Sequence, residues 1–442
     1  MISRADALLL GRERNQSEMK KSLVIALIVI SLVLVALAGY PVVQRVRAKA
    51  LLSDALLFQR DGNWPRMETA LRRAIELQPD YEEAWECLAW NYCYNICVEF
   101  DDVEQKYSVV KRGIEIAIEG VTKNPKSSRL QWDVGWDFFH RIGKSDEREQ
   151  FRHLFAEDIE LHQLLNKHIQ LDDAVGPDGK PDNFLVASLW FTKAGGTAEH
   201  FGLDEKRMGA SAFYSYPAHA RMQFALAIEN EGVTDETAVR AWQQAAKAWH
   251  AYGDRDFEYI KGKTIRYNDY DRLVALKQEL DQQKTPQQPE GSPISRKTRE
   301  VEEKLYWTDR FRTMINFGYW VDRCALEQTE PWLAARRLMV EARRQAAKGH
   351  TASEKKAASL DLFDQAFAAW AKILKDNPPQ EDDVLLDELL EHIRIYRITV
   401  LDGAPLPPNF PFRELIEKSD RAEAEMQRIM ESAKKEYGRS SR

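Results

Sequence analysis

Residues 23–43, LVIALIVISLVLVALAGYPVV, run for 21 positions without a charge. A helix rises about 1.5 Å per residue, so this length crosses a hydrocarbon layer of roughly 30 Å. A core helix of a globular domain would carry a polar stripe, and here Ser31 is the one hydroxyl short of Tyr40. The segment therefore predicts a single-pass transmembrane helix, Leu23 to Val43, behind a short tail at 1–22. A cleaved signal peptide is the alternative, because Ala36-Leu37-Ala38 fits a small-x-small cleavage site. Against it stand the 22-residue polar region before the run and Arg45, Arg47 and Lys49 directly after it. Cations are nearly balanced across the span: Arg4, Arg12, Arg14, Lys20 and Lys21 before it, Arg45, Arg47, Lys49 and Arg60 after it. The short tail and the signal-like character favour the amino terminus inside a bacterial cytoplasmic membrane and the large C-terminal domain outside it.

Beyond the span the chain is long enough for two or three domains with real cores. Its 442 residues are 44% hydrophobic and 30% charged, as in ordinary globular proteins. The net charge is −7, and the first 22 residues carry five Lys/Arg against three Asp/Glu, leaving −9 after the span. A chain of that sign without a Lys/Arg-rich tract offers no nucleic-acid surface.

Periodicity then sets the fold class. Apolar residues recur at three- and four-residue spacing over 48–282, with few alternating β-branched runs, so the reading is all-α. Within it, GNWPRMETALRRAIELQPD (62–80) and EEAWECLAWNY (82–92) open a repeat. This pattern resembles the tetratricopeptide repeat, a helical hairpin of about 34 residues with small residues where its helices cross and Pro near its end. Setting Pro79 at position 32 of about 34 places Ala55, Phe58, Gly62, Trp64, Leu71 and Ala74 in register, and only Met67 departs. The second copy has Trp85, Leu88, Ala89 and Tyr92 in its first helix and Gly113, Ala117 and Gly120 in its second, ending at Pro125. About twelve extra residues, around VEFDDVEQK, lie between its helices, relative to the usual repeat. A weaker third copy begins near Ser128, with Gly135 and Phe138 in register. The resemblance implies an α-solenoid of hairpins over 48–170 after the transmembrane helix. A further helical region follows over 171–281, interrupted by the turn-forming VGPDGKPDNF at 175–184. The Pro-bearing, polar stretch 282–297 reads as a flexible linker. A C-terminal helical domain covers 298–442, with helices near 298–328, 332–348, 357–376 and 382–401 and a charged tail helix at 413–437. Ala366, Trp370 and Pro378 repeat the spacing of a second repeat helix.

Two stretches, WDVGWDFFHRIGKSDE and YRITVLDGAPLPPNFPF, are similar to those of a group of membrane-anchored planctomycete proteins. That resemblance implies a location and carries no activity with it.

Catalytic and cofactor chemistry finds little support. No phosphate-binding loop, nucleophile elbow or H-E-x-x-H motif occurs. His153, His162 and His168, near Glu157, Asp158 and Glu160, lack metal-ligand spacing and read as solvated helix charges. Cys87, Cys93 and Cys97 read as buried free thiols, because neither a strained one-turn bridge nor zinc spacing fits them. RDFEYIKGKTIRYNDYDR (255–272) reads as a solvated loop, its Asp and Glu offsetting its Lys and Arg. No metal, no cofactor and no enzymatic reaction are expected.

The function expected instead is that of a membrane-anchored protein–protein interaction scaffold or assembly adaptor, holding a protein or peptide partner on the repeat face. Groove positions of the repeat fall on Glu83, Glu86, Trp90, Cys93 and Tyr94 in the second copy, and on Arg129, Trp132, Trp136, Phe139 and His140 in the third. Trp90, Tyr94, Trp132, Trp136, Phe139 and His140 are the candidate partner-binding residues, since exposed aromatic patches mark interaction sites. The opposing reading is that helices of 150–282 bury this face as core. Two further alternatives are a self-associating envelope subunit that uses RELIEKSDRAEAEMQRIMESAKKEY as a partner helix, and an enzyme with a site between the helical domains.

Overall fold

A computed structural model of the chain describes residues 40–203, 208–283, 289, 291–347, 353–377, 383–401 and 404–417. Most of the transmembrane segment read from the sequence, residues 23–39, lies outside the described residues, as do 1–22 and the tail from 418 onwards. Among the described residues no helix is long and apolar enough to cross a membrane. The fold is all-α apart from one short strand pair, and the chain divides into two compact units at Asp137/Phe138.

Unit 1 begins with α1, described over 40–60, followed by α2 (Trp64–Leu77), α3 (Glu82–Trp90), α4 (Val103–Lys123) and α5 (Ser128–Trp136). Local chemistry fixes the ends of these helices. Gly62 takes φ +67° in the turn after α1, Asn63 accepts from the Arg66 amide, and Pro65 sits in the first turn of α2, where it loses no hydrogen bond. Pro79 and Pro125 each follow the end of a helix by two residues, and Gln78 before Pro79 is extended. The Pro79 carbonyl then accepts from Trp85 Nε1 at 2.9 Å and from Asn124 Nδ2 at 3.5 Å, tying two inter-helix turns together.

The pairing of α3 with α4 depends on two glycines. A Cβ on Gly113 would lie 2.4 Å from Cys93 Sγ and 3.0 Å from the Ala89 carbonyl oxygen, and one on Gly120 would lie 2.9 Å from Trp85 Cβ. Residue 113 thus faces 89–93 while residue 120 faces 85, so the helices run antiparallel and touch along a glycine seam. The extra residues of this hairpin do not form a loop. They lengthen α3 through a π-helical turn, Asn91–Ile96, and a 3-10 turn, Cys97–Glu99, and they extend α4 to 21 residues.

Unit 2 opens within a second π-helical turn, Asp137–Ile142, at Phe138, and continues with α6 (Arg148–Glu157) and α7 (Ile159–Leu165). The Pro/Gly-rich stretch is a turn closed by a Val175–Pro181 bridge, and Asp182 caps α8 (Asn183–Phe201) through the amides of Phe184 and Leu185. α9 (Ala210–Asn230) and α10 (Glu236–Gly253) follow. The stretch read as a solvated loop is instead an antiparallel pair, β1 (Phe257–Ile260) and β2 (Lys263–Ile265), turning at Gly262. Its alternation puts Phe257 and Ile265, which are cross-strand partners, into the core beside Tyr252, Tyr267 and Phe317.

α11 (Tyr270–Gln283) packs on α12 (Pro293–Met314), leaving residues 284–288 and 290 of the linker segment outside the described residues. A helix expected over 298–328 is two helices. Asn316 adopts φ +53° and separates α12 from α13 (Phe317–Glu327), a conformation that Asn tolerates better than most side chains. α14 (Glu330–Ala347), α15 (Ser353–Asp376) and α16 (Asp383–Ile395) enclose the last core, into which Phe410 and Phe412 pack after the Pro-rich segment. A short α17 (Arg413–Glu417) ends the described chain.

Candidate functional site

The six aromatic and histidine positions singled out in the sequence fall in both units. In unit 1, Trp90 and Tyr94 lie one turn apart along α3 and its π-helical extension, with rings stacked at 4.1 Å between centroids, and Trp90 is 46% exposed. Trp132 and Trp136 stack at 5.4 Å along α5, Trp132 buried and Trp136 half-buried. Across these helices, Arg129 of α5 forms an ion pair with Glu86 of α3. Ser127 donates to Glu82 at 2.6 Å beside it. α3 therefore has α4 along one side and α5 along another. In unit 2, Phe139 is buried in edge-to-face contact with Phe184, Phe191 and Tyr216. His140 is half-buried, and burial, with Lys144 and Arg141 nearby, lowers its pKa.

The clustered cysteines are free thiols. Cys93 and Cys97 are buried, the latter donating to the Cys93 carbonyl at 2.9 Å, and burial pushes Cys87 up to about 11. Among the described residues no group of three or more His, Cys, Asp or Glu is placed to hold a metal ion. His162 packs edge-on against Phe155, Lys180 pairs with Glu157, and His168 lies against Trp190.

Two features of unit 2 were not read from the sequence. The first is a cleft of about 1080 Å³, walled by α6, the turn before α8, the end of α9, and Arg343, Glu388 and Glu391. A polar knot crosses its floor. Arg152 bonds Asp182 at 3.0 Å and Glu231 at 2.7 Å, and its guanidinium lies over the Phe184 ring. Burial raises the Asp182 carboxyl, against the pull of Arg152 and of the two α8 amides that it caps. Arg148 closes a second pair across the cleft with Glu391 at 3.0 Å. Arg148 and Arg152 are thus matched by carboxylates on the cleft's own walls, while Arg343 donates to Asn230 at 3.4 Å.

The second is a buried ion network behind Glu388. Arg323 meets Glu327 at 2.6 Å and Glu388 at 2.9 Å. Arg336 meets Glu327 at 2.8 Å, contacts Glu388, and approaches Glu229 of α9 at 3.6 Å. Both guanidiniums lie over Trp332, and Arg336 also faces Trp370. Three carboxyl groups share two fixed cations. Burial would raise Glu388, but Arg336 and Arg323 overcome it and hold this carboxyl at about 2. Burial, reinforced by the charge of Glu327, pushes Glu229 up to about 8. Glu229 is therefore driven by its surroundings towards the protonated form. Burial likewise holds His392, edge-on to Trp370, down at about 3. In the sequence these residues look like ordinary helix charges, and the one local signal is their interleaving with Trp320, Trp332 and Trp370.

No protein-family model matches the chain, and a search of curated proteins finds no match.

Proposed function

We propose that this protein is a membrane-anchored interaction scaffold, held in the bilayer by Leu23–Val43 and presenting tetratricopeptide-type hairpins to a protein or peptide partner. The observation that carries this reading is the arrangement around α3. Its partner α4 crosses it at Gly113 and Gly120, the positions where the repeat has small residues. Its other neighbour, α5, pairs Arg129 with Glu86, both positions of the repeat's concave face. Consecutive first helices side by side are what generates an extended binding surface in such repeats. The half-exposed Trp90–Tyr94 stack on that face supplies the aromatic area typical of binding hot spots. The anchor draws support from α1, which is already helical at residue 40, inside the apolar run, and continues into unit 1.

The reading is tested by topology. After alkaline washing the full chain should remain with the membrane fraction, and a reporter fused after Arg442 should be active only outside the cytoplasm. Recovery in the wash would remove the anchor from the account, and cytoplasmic reporter activity would reverse the orientation.

A second reading, small-molecule binding or catalysis in unit 2, rests on the cleft beside Glu388. Its paired charges favour a structural role for that wall, and a stabilising small ligand found by thermal shift would shift the balance.

A further inference from the structure

We infer that the first turns of α1 form a collar that seats unit 1 on an anionic phospholipid surface, an inference that rests on the membrane anchor proposed above. α1 has two opposed faces. Ala48 and Ala55 are fully buried, with Gln44 and Leu51 on the same side at helical spacing. The other face begins with Val42, Val43 and Val46, exposed by 59%, 49% and 63%. At about 100° per residue these three valines span one arc of roughly 100°, and Arg45 and Arg47 flank it about 60° and 40° beyond its two edges. Lys49 is exposed one turn further along. No acidic residue occurs between Glu18 and Asp54.

Distance along the chain says what covers this face. The apolar run ends at Val43, and a headgroup layer extends about 5–7 Å beyond the hydrocarbon core. Val46 lies about 4.5 Å past Val43 along the helix and Lys49 about 9 Å past it. Val46 thus reaches the depth of the headgroups, with Arg45 and Arg47 at about 3 and 6 Å inside that layer and Lys49 at its outer edge, within reach of the phosphates by its long side chain. Such side chains bury their stems in the apolar boundary and extend their charges outward. Because Ala48 is already packed within the fold, there is no spacer, and unit 1 starts at the lipid surface.

The full chain carrying Val46→Cys, labelled with a fluorophore and reconstituted in vesicles, tests this. Cys93, Cys97 and Cys324 are buried, and burial keeps the Cys87 thiol protonated, so the new cysteine is the reactive one. Lipids bearing a nitroxide quencher on an anionic or on a zwitterionic headgroup are compared at equal mole fraction. Quenching at position 46 should favour the anionic headgroup, by on the order of fivefold per cation. The Arg45→Glu, Arg47→Glu, Lys49→Glu variant should lose that preference. A label on Val98→Cys, an exposed site outside α1, should be quenched by aqueous acrylamide instead. If the protein stays in the vesicles while position 46 behaves like position 98, the collar is wrong and the anchor stands. Equal quenching by both headgroups overturns the anionic assignment, and release of the protein by an alkaline wash overturns anchor and collar together.

Discussion

Gly113 shows how a single side chain decides a helix pairing. In an exposed helix interior, Gly→Ala stabilises by about 1 kcal/mol. Here the added methyl would meet Cys93 Sγ and the Ala89 carbonyl below contact distance, and overpacking of this kind costs about 1–3 kcal/mol. Gly113→Ala should therefore lower stability in a denaturant titration, whereas a stabilised variant would mean the helices do not touch there. At Glu229, burial raises the carboxyl to about 8 in the folded protein, against its ordinary 4.5. A group raised in the folded state contributes stability that is fully present below the unfolded value and is lost as pH rises through the folded one. Between these limits the slope is up to about 1.4 kcal/mol per pH unit. Glu229→Gln should match the parent near pH 4.5 and exceed its melting temperature above pH 8. Parallel curves across that window would show that Glu229 is ionised throughout.

At the scale of elements, what was legible in the sequence is what local rules govern. The turn before α8 is legible from the residues alone, because turn chemistry acts over a few positions, whereas the small residues of the second hairpin and the Pro residues after α2 and α4 are legible through the resemblance to a helical repeat. The π-helical turns at Asn91–Ile96 and Asp137–Ile142 were not legible, since an inserted residue that widens a helix leaves the apolar period nearly intact. Nor was the break at Asn316, because the one nearby helix breaker, Gly318, lies inside α13 and not at the break. That break gives an element-scale prediction. Asn316→Gly should be tolerated, while Asn316→Val should cost about 1–2 kcal/mol through its left-handed backbone, and equal melting curves for the two would contradict the break. The cleft and the Arg323–Glu327–Arg336–Glu388 network were illegible for a different reason. Their partners are up to 243 residues apart, so each charge looks solvated until α6, α9, α13, α14 and α16 are folded together.

Across the whole molecule, an apolar run leads into helix α1, and α1 into the hairpins whose α3, with its π-helical extension, carries the half-exposed Trp90–Tyr94 stack. The central claim is that the face carrying Trp90 holds a partner while the chain is in its membrane. The direct measurement places a photo-crosslinking amino acid at position 90 of the intact, membrane-embedded protein, with position 98 as the exposed control. The account expects a discrete protein adduct from position 90 and not from position 98, lost on Tyr94→Ala while the melting temperature holds. No adduct from position 90, or the same adducts from both positions, would contradict it.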